Sequence, residues 1–255
     1  MSLLVCVGGS ITRLIVLNVW GGSRLEELVD FVGEGSGTTD IFCFQEVLDR
    51  DTDLVDYPHQ YKGGTFKTLK RQLSTFHPYL IEPYTSFGER LATFVRGDIE
   101  VLENDWEILV PQQETDDHSI GSNLQYARMK RNGSDFLVAN VHGFWIKGNN
   151  LDTNERISQS KKIVSLLSRF NEPKILCGDF NLAPDTRSIG MLEDHMNNLT
   201  KKYSIGTTRS VLAEKNKGRI VDYVFVSSRV DVRDFRTMDS RASDHLALQL
   251  DFRIV

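Results

Sequence analysis

Short apolar runs that each end in or beside a polar cluster recur along this chain of 255 residues. The runs are rich in Val, Ile and Phe, and they occupy residues 13–20, 41–47, 90–96, 125–131, 135–142, 173–180, 219–227 and 245–252. Runs of this length and composition are typical of β-strands that are buried in a sheet. The repetition therefore predicts a strand-rich core with polar residues at the strand ends.

Helical patterns lie between several of the predicted strands. Ser23 is placed to cap a helix at 23–32, whose apolar residues share one face. The longest helical pattern covers 152–170, and a shorter one covers 186–195. Strands joined through helices, together with a hairpin between the fourth and fifth apolar runs, predict an α/β fold with two stacked mixed sheets.

Two segments, 48–88 and 97–124, have no regular periodicity and are predicted to be long loops. Loops of this length often carry substrate contacts. No linker-like composition divides the chain, and 40% of its residues are hydrophobic. We therefore predict one domain over residues 1–255, with residues 1–12 interpreted as an N-terminal extension.

Cysteine content, hydropathy and charge limit the classes of protein that fit. The three cysteines, Cys6, Cys43 and Cys177, form neither a disulfide framework nor a zinc spacing, so a reducing compartment, the cytoplasm, is expected. No apolar run approaches the ~20 residues of a membrane span, and no span is expected. The net charge of -5 gives no chain-wide basic surface, so a nucleic-acid partner would have to bind a local patch.

Acidic and amide side chains stand at two of the strand ends. Glu46 comes after four apolar residues and Gln45, and it is the kind of lone carboxylate that Mg²⁺ accepts, although a surface acid is the alternative. Asp179 and Asn181 point the same way if their strand continues, and they offer an acceptor and an amide to a water or a phosphate oxygen. Their alternative is a turn before Pro184. The other polar clusters favour a functional role.

Two histidines are candidates for phosphate contact and proton transfer. His245 follows Asp244, and Asp222 is available from another strand, so a carboxylate could orient the imidazole against a phosphoryl oxygen. His142 ends a strand and could pair with Glu89 to supply a proton to the leaving group. The remaining histidines are not expected to take part in chemistry: His59, His77, His118 and His195.

Four further residues are candidate substrate contacts. Asn140 precedes His142 on the same strand. Trp20 and Trp145 fall beside the proposed site, where they could stack on a substrate, although such residues are more often part of a core or its rim. Arg128 belongs to a basic cluster whose alternative role is a solvated face.

Six polar clusters, taken in order, resemble the endonuclease/exonuclease/phosphatase superfamily: Asn18, Gln45–Glu46, Asn140–His142, Gly178–Asn181, Asp222–Tyr223 and Ser243–His245. The match spans nearly the whole chain. The resemblance implies a four-layer αββα sandwich and a phosphoester hydrolase that uses Mg²⁺, or alternatively Mn²⁺. It also implies that Glu46 is the principal metal ligand, helped by Asn18 and Asp244.

The resemblance implies roles for the other site residues as well. Asp179 would orient or deprotonate the attacking water, and Asn181 would hold that water or the phosphate. Asp222 would align His245 against the phosphoryl group, so that these residues act through positioning and electrostatics. Because a free aspartate has a pKa of about 3.9, the metal would have to acidify the water.

Three positions discriminate among branches of the superfamily. His142 stands where the abasic-site endonucleases have Tyr, which makes that activity less expected. Residues 89–96 resemble the Glu-Arg strand of pancreatic-type deoxyribonucleases, whose Glu pairs with the histidine that matches His142. Trp20 stands where some nucleases of the superfamily have a metal-binding Asp, so a second metal is not expected.

The leading hypothesis is therefore a divalent-metal phosphodiesterase of nuclease type, with nucleic acid as the first substrate class to test. The first alternative is a phosphatase or phosphodiesterase that acts on a phosphorylated small molecule, sugar, inositol or lipid headgroup. The second is a non-catalytic binding module on the same fold.

Overall fold

The computed structural model describes residues 10–51, 53, 61–114, 119–213 and 218–255. Its strands are β1 (Thr12–Asn18), β2 (Ile41–Leu48), β3 (Phe76–Leu80), β4 (Glu89–Arg96), β5 (Glu100–Glu114), β6 (Ser119–Arg131), β7 (Ser134–His142), β8 (Lys174–Asp179), β9 (Asn197–Asn198), β10 (Asp222–Val226), β11 (Val230–Met238) and β12 (Ala247–Ile254). Its helices are α1 (Leu25–Ser36), α2 (Thr65–Gln72), α3 (Asn154–Leu167), α4 (Arg187–Glu193) and α5 (Leu199–Lys202).

The strands form two six-stranded sheets. The first sheet has the order β11-β12-β1-β2-β4-β3, and the second has the order β5-β6-β7-β8-β10-β9. Both sheets are mixed, because β1 pairs in parallel with β2 and β7 pairs in parallel with β8, whereas the other strand pairs are antiparallel. Helical connections link the two parallel pairs, as parallel strands require.

Apolar side chains fill the space between the sheets and cover both outer faces. The inner core joins residues of both sheets, such as Val16 and Cys43 from the first and Val138 and Cys177 from the second. Apolar residues of α1 and α2 pack on the outer face of the first sheet, and those of α3 and α4 pack on the outer face of the second. The predicted four-layer αββα sandwich is confirmed.

All eight predicted strands are present, but the two predicted loops are not loops throughout. Most of 97–124 is taken up by β5 and the first half of β6, which form a long hairpin, and 48–88 contains α2 and β3. Register shifts in β5 interrupt its two-residue period, which explains why its sequence shows no alternation. Residues 1–9 of the predicted N-terminal extension lie outside the described residues.

Helix ends also differ from the prediction at one place. Ser23 does not cap α1, which begins at Leu25 after Arg24. The hydroxyl of Ser23 instead donates to the carbonyl of Trp20 in the short 3₁₀ turn Trp20–Gly22. None of the helices in the described part of the chain is both apolar enough and long enough to cross a membrane.

Strand direction places the polar strand ends together. In the first sheet Asn18 pairs with Gln45, and in the second His142 pairs with Asp179, which pairs with Asp222. We call this end of the sandwich the site edge. The other end, where β1 begins and β4 and β6 finish, is called the opposite edge.

Candidate active site

Three residues at the site edge hold a backbone conformation that side chains other than glycine rarely adopt. Trp20, Glu46 and Asn181 have φ angles of 53°, 56° and 55°. Glu46 lies where the pairing of β2 with β4 shifts register, between Phe44 and Val47. Such bulges redirect a side chain, and left-handed backbone at ordinary residues costs about 1–3 kcal/mol each and is concentrated at functional sites.

Glu46 is the centre of the hydrogen-bond network at this edge. Its Oε1 accepts from Nδ2 of Asn18 at 2.8 Å, and its Oε2 accepts from the hydroxyl of Tyr61 at 2.9 Å. The same Asn18 nitrogen donates to Oδ2 of Asp179 at 3.1 Å, while Oδ1 of Asn18 accepts from the backbone N–H of Trp20 at 2.9 Å. Asn18 therefore holds two carboxylates in place, and its role as a metal ligand stays a prediction.

Two groups of side chains offer ligand atoms that lie within 4.8 Å of one another: Glu46, His142 and Asp179, and Asp179, Asp222 and His245. In the first group Nε2 of His142 lies 3.5 Å from Oε1 of Glu46 and 3.8 Å from Oδ2 of Asp179. Two converging carboxylates suit a hard divalent cation, which prefers oxygen ligands. The donor set at the site edge thus fits a divalent metal ion.

Asp179 ends β8 and is fixed by the turn that follows it. The backbone N–H of Asn181 donates to Oδ1 of Asp179 at 2.8 Å, and Nδ2 of Asn181 donates to the carbonyl of Gly143 at 3.1 Å. The strand does not continue through Asn181, so the expectation that both side chains share one strand face is wrong. Burial, and then the charge of Asp222, raises the pKa of Asp179 despite the nearby cations.

His245 is oriented by a carboxylate, as the sequence predicted. Its Nδ1 lies 2.9 Å from Oδ2 and 3.0 Å from Oδ1 of Asp222, and its Nε2 lies 3.6 Å from Oδ2 of Asp179. Burial and the charge of Arg209 lower the pKa of His245, but the carboxylates of Asp222, Asp244 and Asp179 outweigh them and raise it to about 9.

His142 is held by a tyrosine. Its Nδ1 lies 2.7 Å from the hydroxyl of Tyr84, and its Nε2 faces Glu46 and Asp179. The predicted pairing of His142 with Glu89 is therefore wrong, because Tyr84 occupies the nitrogen that Glu89 would have oriented. Glu89 is buried nearby, where burial and then the charge of Glu46 raise its pKa to about 8.

Three predicted site residues have other roles in the structure. Asn140 is buried beneath the site, where Oδ1 accepts from Gln45 at 2.6 Å and Nδ2 donates to the carbonyl of Phe44 at 3.1 Å, so its amide joins the two sheets and does not face a substrate. Arg128 lies toward the opposite edge beside Glu103 and Glu172. Asp244 pairs with Arg209 at 2.6 Å and belongs to neither ligand group, and its role as a metal ligand stays a prediction.

The two tryptophans follow strands that end at the site. Trp20 is half-buried at the end of β1. Trp145 follows β7 and packs partly against Val110, Ile120 and Phe144. The loop that carries Trp145 is organised by the fully buried Arg156. Its guanidinium donates to the carbonyls of Phe144, Asn149 and Leu151.

Three residues of the site were not found from the sequence: Tyr61, Tyr84 and Arg209. Each reaches the site from a segment between the predicted strands, and none ends an apolar run. The one local indication is at Gly21, where a Cβ atom would lie 2.3 Å from the Tyr61 ring and φ is +56°. A glycine pair after a strand indicates close approach by another group, but not which group.

Comparisons with known proteins agree with this arrangement. The model of the Endonuclease/Exonuclease/phosphatase family matches residues 15–245. A mannosyl-6-phosphatase of Bacteroides thetaiotaomicron VPI-5482 is 18% identical with a TM-score of 0.72, and the alignment covers 95% of this chain and 100% of that chain. The catalytic domain of human Nocturnin, solved with a bound sulfate anion, is 19% identical with a TM-score of 0.71 and coverage of 96% and 94%.

The fold is also shared with D. rerio TDP2, solved in complex with a single-strand DNA product. That protein is 17% identical, with a TM-score of 0.72 and coverage of 96% of this chain and 99% of that chain. No curated protein sequence matches this chain. The family match covers most of the chain and includes every strand end that contributes to the site. The chain belongs to the endonuclease/exonuclease/phosphatase family.

Proposed function

We propose that this protein is a divalent-metal-dependent phosphoester hydrolase, and specifically a phosphodiesterase of nuclease type. The observation that carries the proposal is the convergence of Glu46, His142 and Asp179, whose ligand atoms lie within 4.8 Å of one another beside the Asp222–His245 pair. Carboxylates that crowd together next to an oriented imidazole suit a metal ion and a phosphoryl group better than they suit a stable core.

Glu46 would be the principal ligand of the metal, which we propose is Mg²⁺, with Mn²⁺ as the alternative. When bound, such an ion acidifies a water molecule and neutralises charge on a phosphoryl oxygen. Asn18 positions the carboxylates of Glu46 and Asp179 through the bonds from its Nδ2. Tyr61 fixes the remaining oxygen of Glu46, so that the carboxylate is oriented from two sides.

The attacking water would be oriented by Asp179. The backbone N–H of Asn181 holds Oδ1 of Asp179, which leaves Oδ2 directed toward His142 and His245. Asp222 fixes Nδ1 of His245, so Nε2 is the ring nitrogen that can donate to a phosphoryl oxygen. His142, held by Tyr84, would give a proton to the leaving oxygen, and the half-buried Trp20 and Trp145 would contact the remainder of the substrate.

A phosphatase that acts on a phosphorylated small molecule, such as a sugar, is the second candidate. The observation that favours it is Arg209, which adds a cation beside His245 at the place proposed for the phosphoryl group. A phosphomonoester carries more negative charge than a diester and gains more from a second cation. The buried free thiols of Cys43 and Cys177 support our proposal that the protein works in a reducing compartment, the cytoplasm.

Hydrolysis assays test the proposal directly. The wild type would be compared with Glu46→Ala, Asp179→Ala and, as a matched control, Glu34→Ala, which removes an exposed acid of α1. The substrates are bis-p-nitrophenyl phosphate, p-nitrophenyl phosphate, plasmid DNA and a single-stranded oligonucleotide, each with Mg²⁺, Mn²⁺ or a chelator. We expect metal-dependent diester cleavage that both site variants lose and Glu34→Ala retains.

Other outcomes of the same assay separate the candidates. Turnover of the monoester alone would select the phosphatase. Hydrolysis that persists in Asp179→Ala would refute the proposed mechanism. No hydrolysis of any substrate by the wild type, together with tight binding of a partner, would favour the binding module.

A further inference from the structure

Arg209 reaches the site from the segment between α5 and β10. Its backbone forms an isolated antiparallel bridge with His245, which places the two side chains next to each other. The side chain of Arg209 is only 12% exposed, and its cationic group therefore lies inside the site and not on the rim.

The guanidinium contacts two residues of the Ser243–His245 segment. Nη2 donates to Oδ2 of Asp244 at 2.6 Å, and Nη1 contacts Nε2 of His245. Nε of Arg209 is buried and has no hydrogen-bond partner among the residues that the structure describes. A buried N–H without an acceptor is costly, so the guanidinium has capacity for a further acceptor.

The contact with His245 is made at the nitrogen that faces the site. Asp222 occupies Nδ1, so Nε2 is the ring atom left for a ligand, and it lies 3.6 Å from Oδ2 of Asp179. A guanidinium has only N–H donors, and its planar fork matches the oxygens of a phosphoryl group. Arg209 and His245 thus meet at a point where one phosphoryl oxygen can accept from both side chains.

We propose that Arg209 binds the phosphoryl group of the substrate. Its Nη1 exchanges the contact with Nε2 of His245 for a phosphoryl oxygen, while Asp244 continues to hold Nη2. This inference rests on the proposed function, because it names the residue that recognises the phosphoryl group at the same site. Asp244 becomes a positioning residue for Arg209, which accounts for its place outside both ligand groups.

Binding of inorganic phosphate, measured by isothermal titration calorimetry, is the first test. We compare the wild type with Arg209→Gln, Arg209→Lys and Arg233→Gln, the last a control that removes an exposed arginine of β11 paired with Asp231. We expect Arg209→Gln to weaken phosphate binding roughly tenfold or more, since it removes a charge-assisted hydrogen bond. Arg209→Lys keeps the charge and loses the fork, so an intermediate loss is expected, and Arg233→Gln should bind as the wild type does.

A double variant separates a loss of phosphate binding from a folding defect. Arg209→Gln leaves Asp244 buried without its cation, whereas the double variant Arg209→Gln with Asp244→Asn removes both charges together. The double variant should melt close to the wild type and still bind phosphate weakly. Equal phosphate affinity in the wild type and the double variant would overturn the proposal, as would a wild type that binds no phosphate.

Steady-state kinetics separate this proposal from the proposed function. For a hydrolysed ester, Arg209→Gln should raise KM by a factor similar to its loss of phosphate affinity. Metal-dependent hydrolysis with an unchanged KM and unchanged phosphate affinity in Arg209→Gln would refute the role of Arg209 and leave the proposed function intact. Phosphate binding that requires Arg209 in a protein without hydrolytic activity would refute the proposed function and leave Arg209 as the anion-binding residue.

Discussion

The two edges of the sandwich both bury charged side chains, but they balance the charges differently. At the opposite edge, Asp40 lies 3.4 Å from Nε of Arg96 and 3.0 Å from Nη1 of Arg131, and Asp251 binds two nitrogens of Arg13. At the site edge Asp244 pairs with Arg209, but other carboxylates face one another. Burial, and then the charge of Glu46, raises the pKa of Glu89. Burial, and then the charge of Asp222, raises the pKa of Asp179.

The difference distinguishes a structural charge from a functional one. Carboxylates paired with arginine are satisfied within the protein, and their removal leaves a partner unpaired. Carboxylates that crowd together without enough cations are an unfavourable feature of the isolated fold, and a bound cation would relieve it. Left-handed backbone at Trp20, Glu46 and Asn181 adds to the cost at the same edge. The residues of the site edge thus lower the stability of the fold.

The largest expected effect is on catalysis at the site edge. Asp179→Asn keeps the shape of the side chain and removes the charge, so we expect hydrolysis to fall by roughly 10³-fold. Because burial and Asp222 disfavour the charged carboxylate, we expect the free energy of unfolding to stay equal or to rise. Initial rates and urea unfolding measure both quantities, and a loss of activity explained by a loss of folded protein would contradict the prediction.

At the opposite edge we expect a substitution to lower stability and to leave activity unchanged. Asp40→Asn leaves Arg96 and Arg131 without their shared carboxylate, so we expect about 3 kcal/mol less stability. Activity per folded molecule should not change, because Asp40 precedes the start of β2 and Glu46 lies near its end. Urea unfolding and rates corrected for the folded fraction test this, and a stability equal to that of the wild type would show that the pairing is not structural.

The pH dependence of the free energy of unfolding is expected to reflect the ionisation of Glu89. The pKa of its carboxyl is about 8 in the folded protein against the ordinary value of 4.5, so between these pH values the folded state holds a proton that the unfolded state has released. The stabilisation is full below pH 4.5 and is lost as pH rises through 8, with a slope of about 1.4 kcal/mol per pH unit at most.

Glu89→Gln should flatten that slope, and the comparison should be made in a chelator. Asp98→Asn, at an exposed position of the opposite edge, is the control. If the slopes of the wild type and Glu89→Gln coincide, Glu89 does not hold the extra proton.

The smallest expected effect concerns His142. Tyr84→Phe removes the hydroxyl that holds Nδ1 of His142, and we expect kcat to fall about tenfold with little change in KM. Tyr126→Phe is the matched control, because that hydroxyl binds Glu103 on β5. Equal kcat values for Tyr84→Phe and the wild type would show that His142 needs no partner at Nδ1.

Much of the fold could be predicted because most strands are buried on both faces. Strands such as β2 and β8 lie between the inner core and a helix layer, so their sequences are short continuous apolar runs. β5 and β11 are each the outermost strand of a sheet, and they carry many charged residues and contain register shifts. Their patterns are weaker for that physical reason, and neither was predicted.

The candidate site could be predicted only where its residues end strands. Asp222 and His245 were predicted to pair because each stands at an apolar run, and they do meet. Tyr84 and Arg209 reach the site from connecting segments, where only the folded chain shows which side chains converge. Arg128 was predicted from its charge, but its position along β6 places it toward the opposite edge.

The most direct measurement of the central claim is thermal unfolding with and without Mg²⁺ for the wild type, Glu46→Gln and Asp40→Asn. A cation that binds only the folded state, and is present at a hundred times its Kd, raises the free energy of unfolding by about 3 kcal/mol. We predict that the unfolding midpoint rises with Mg²⁺ in the wild type and in Asp40→Asn, and that Glu46→Gln shows no rise. Equal rises in the wild type and Glu46→Gln, or no rise in the wild type, would contradict the claim that the crowded carboxylates form a metal site.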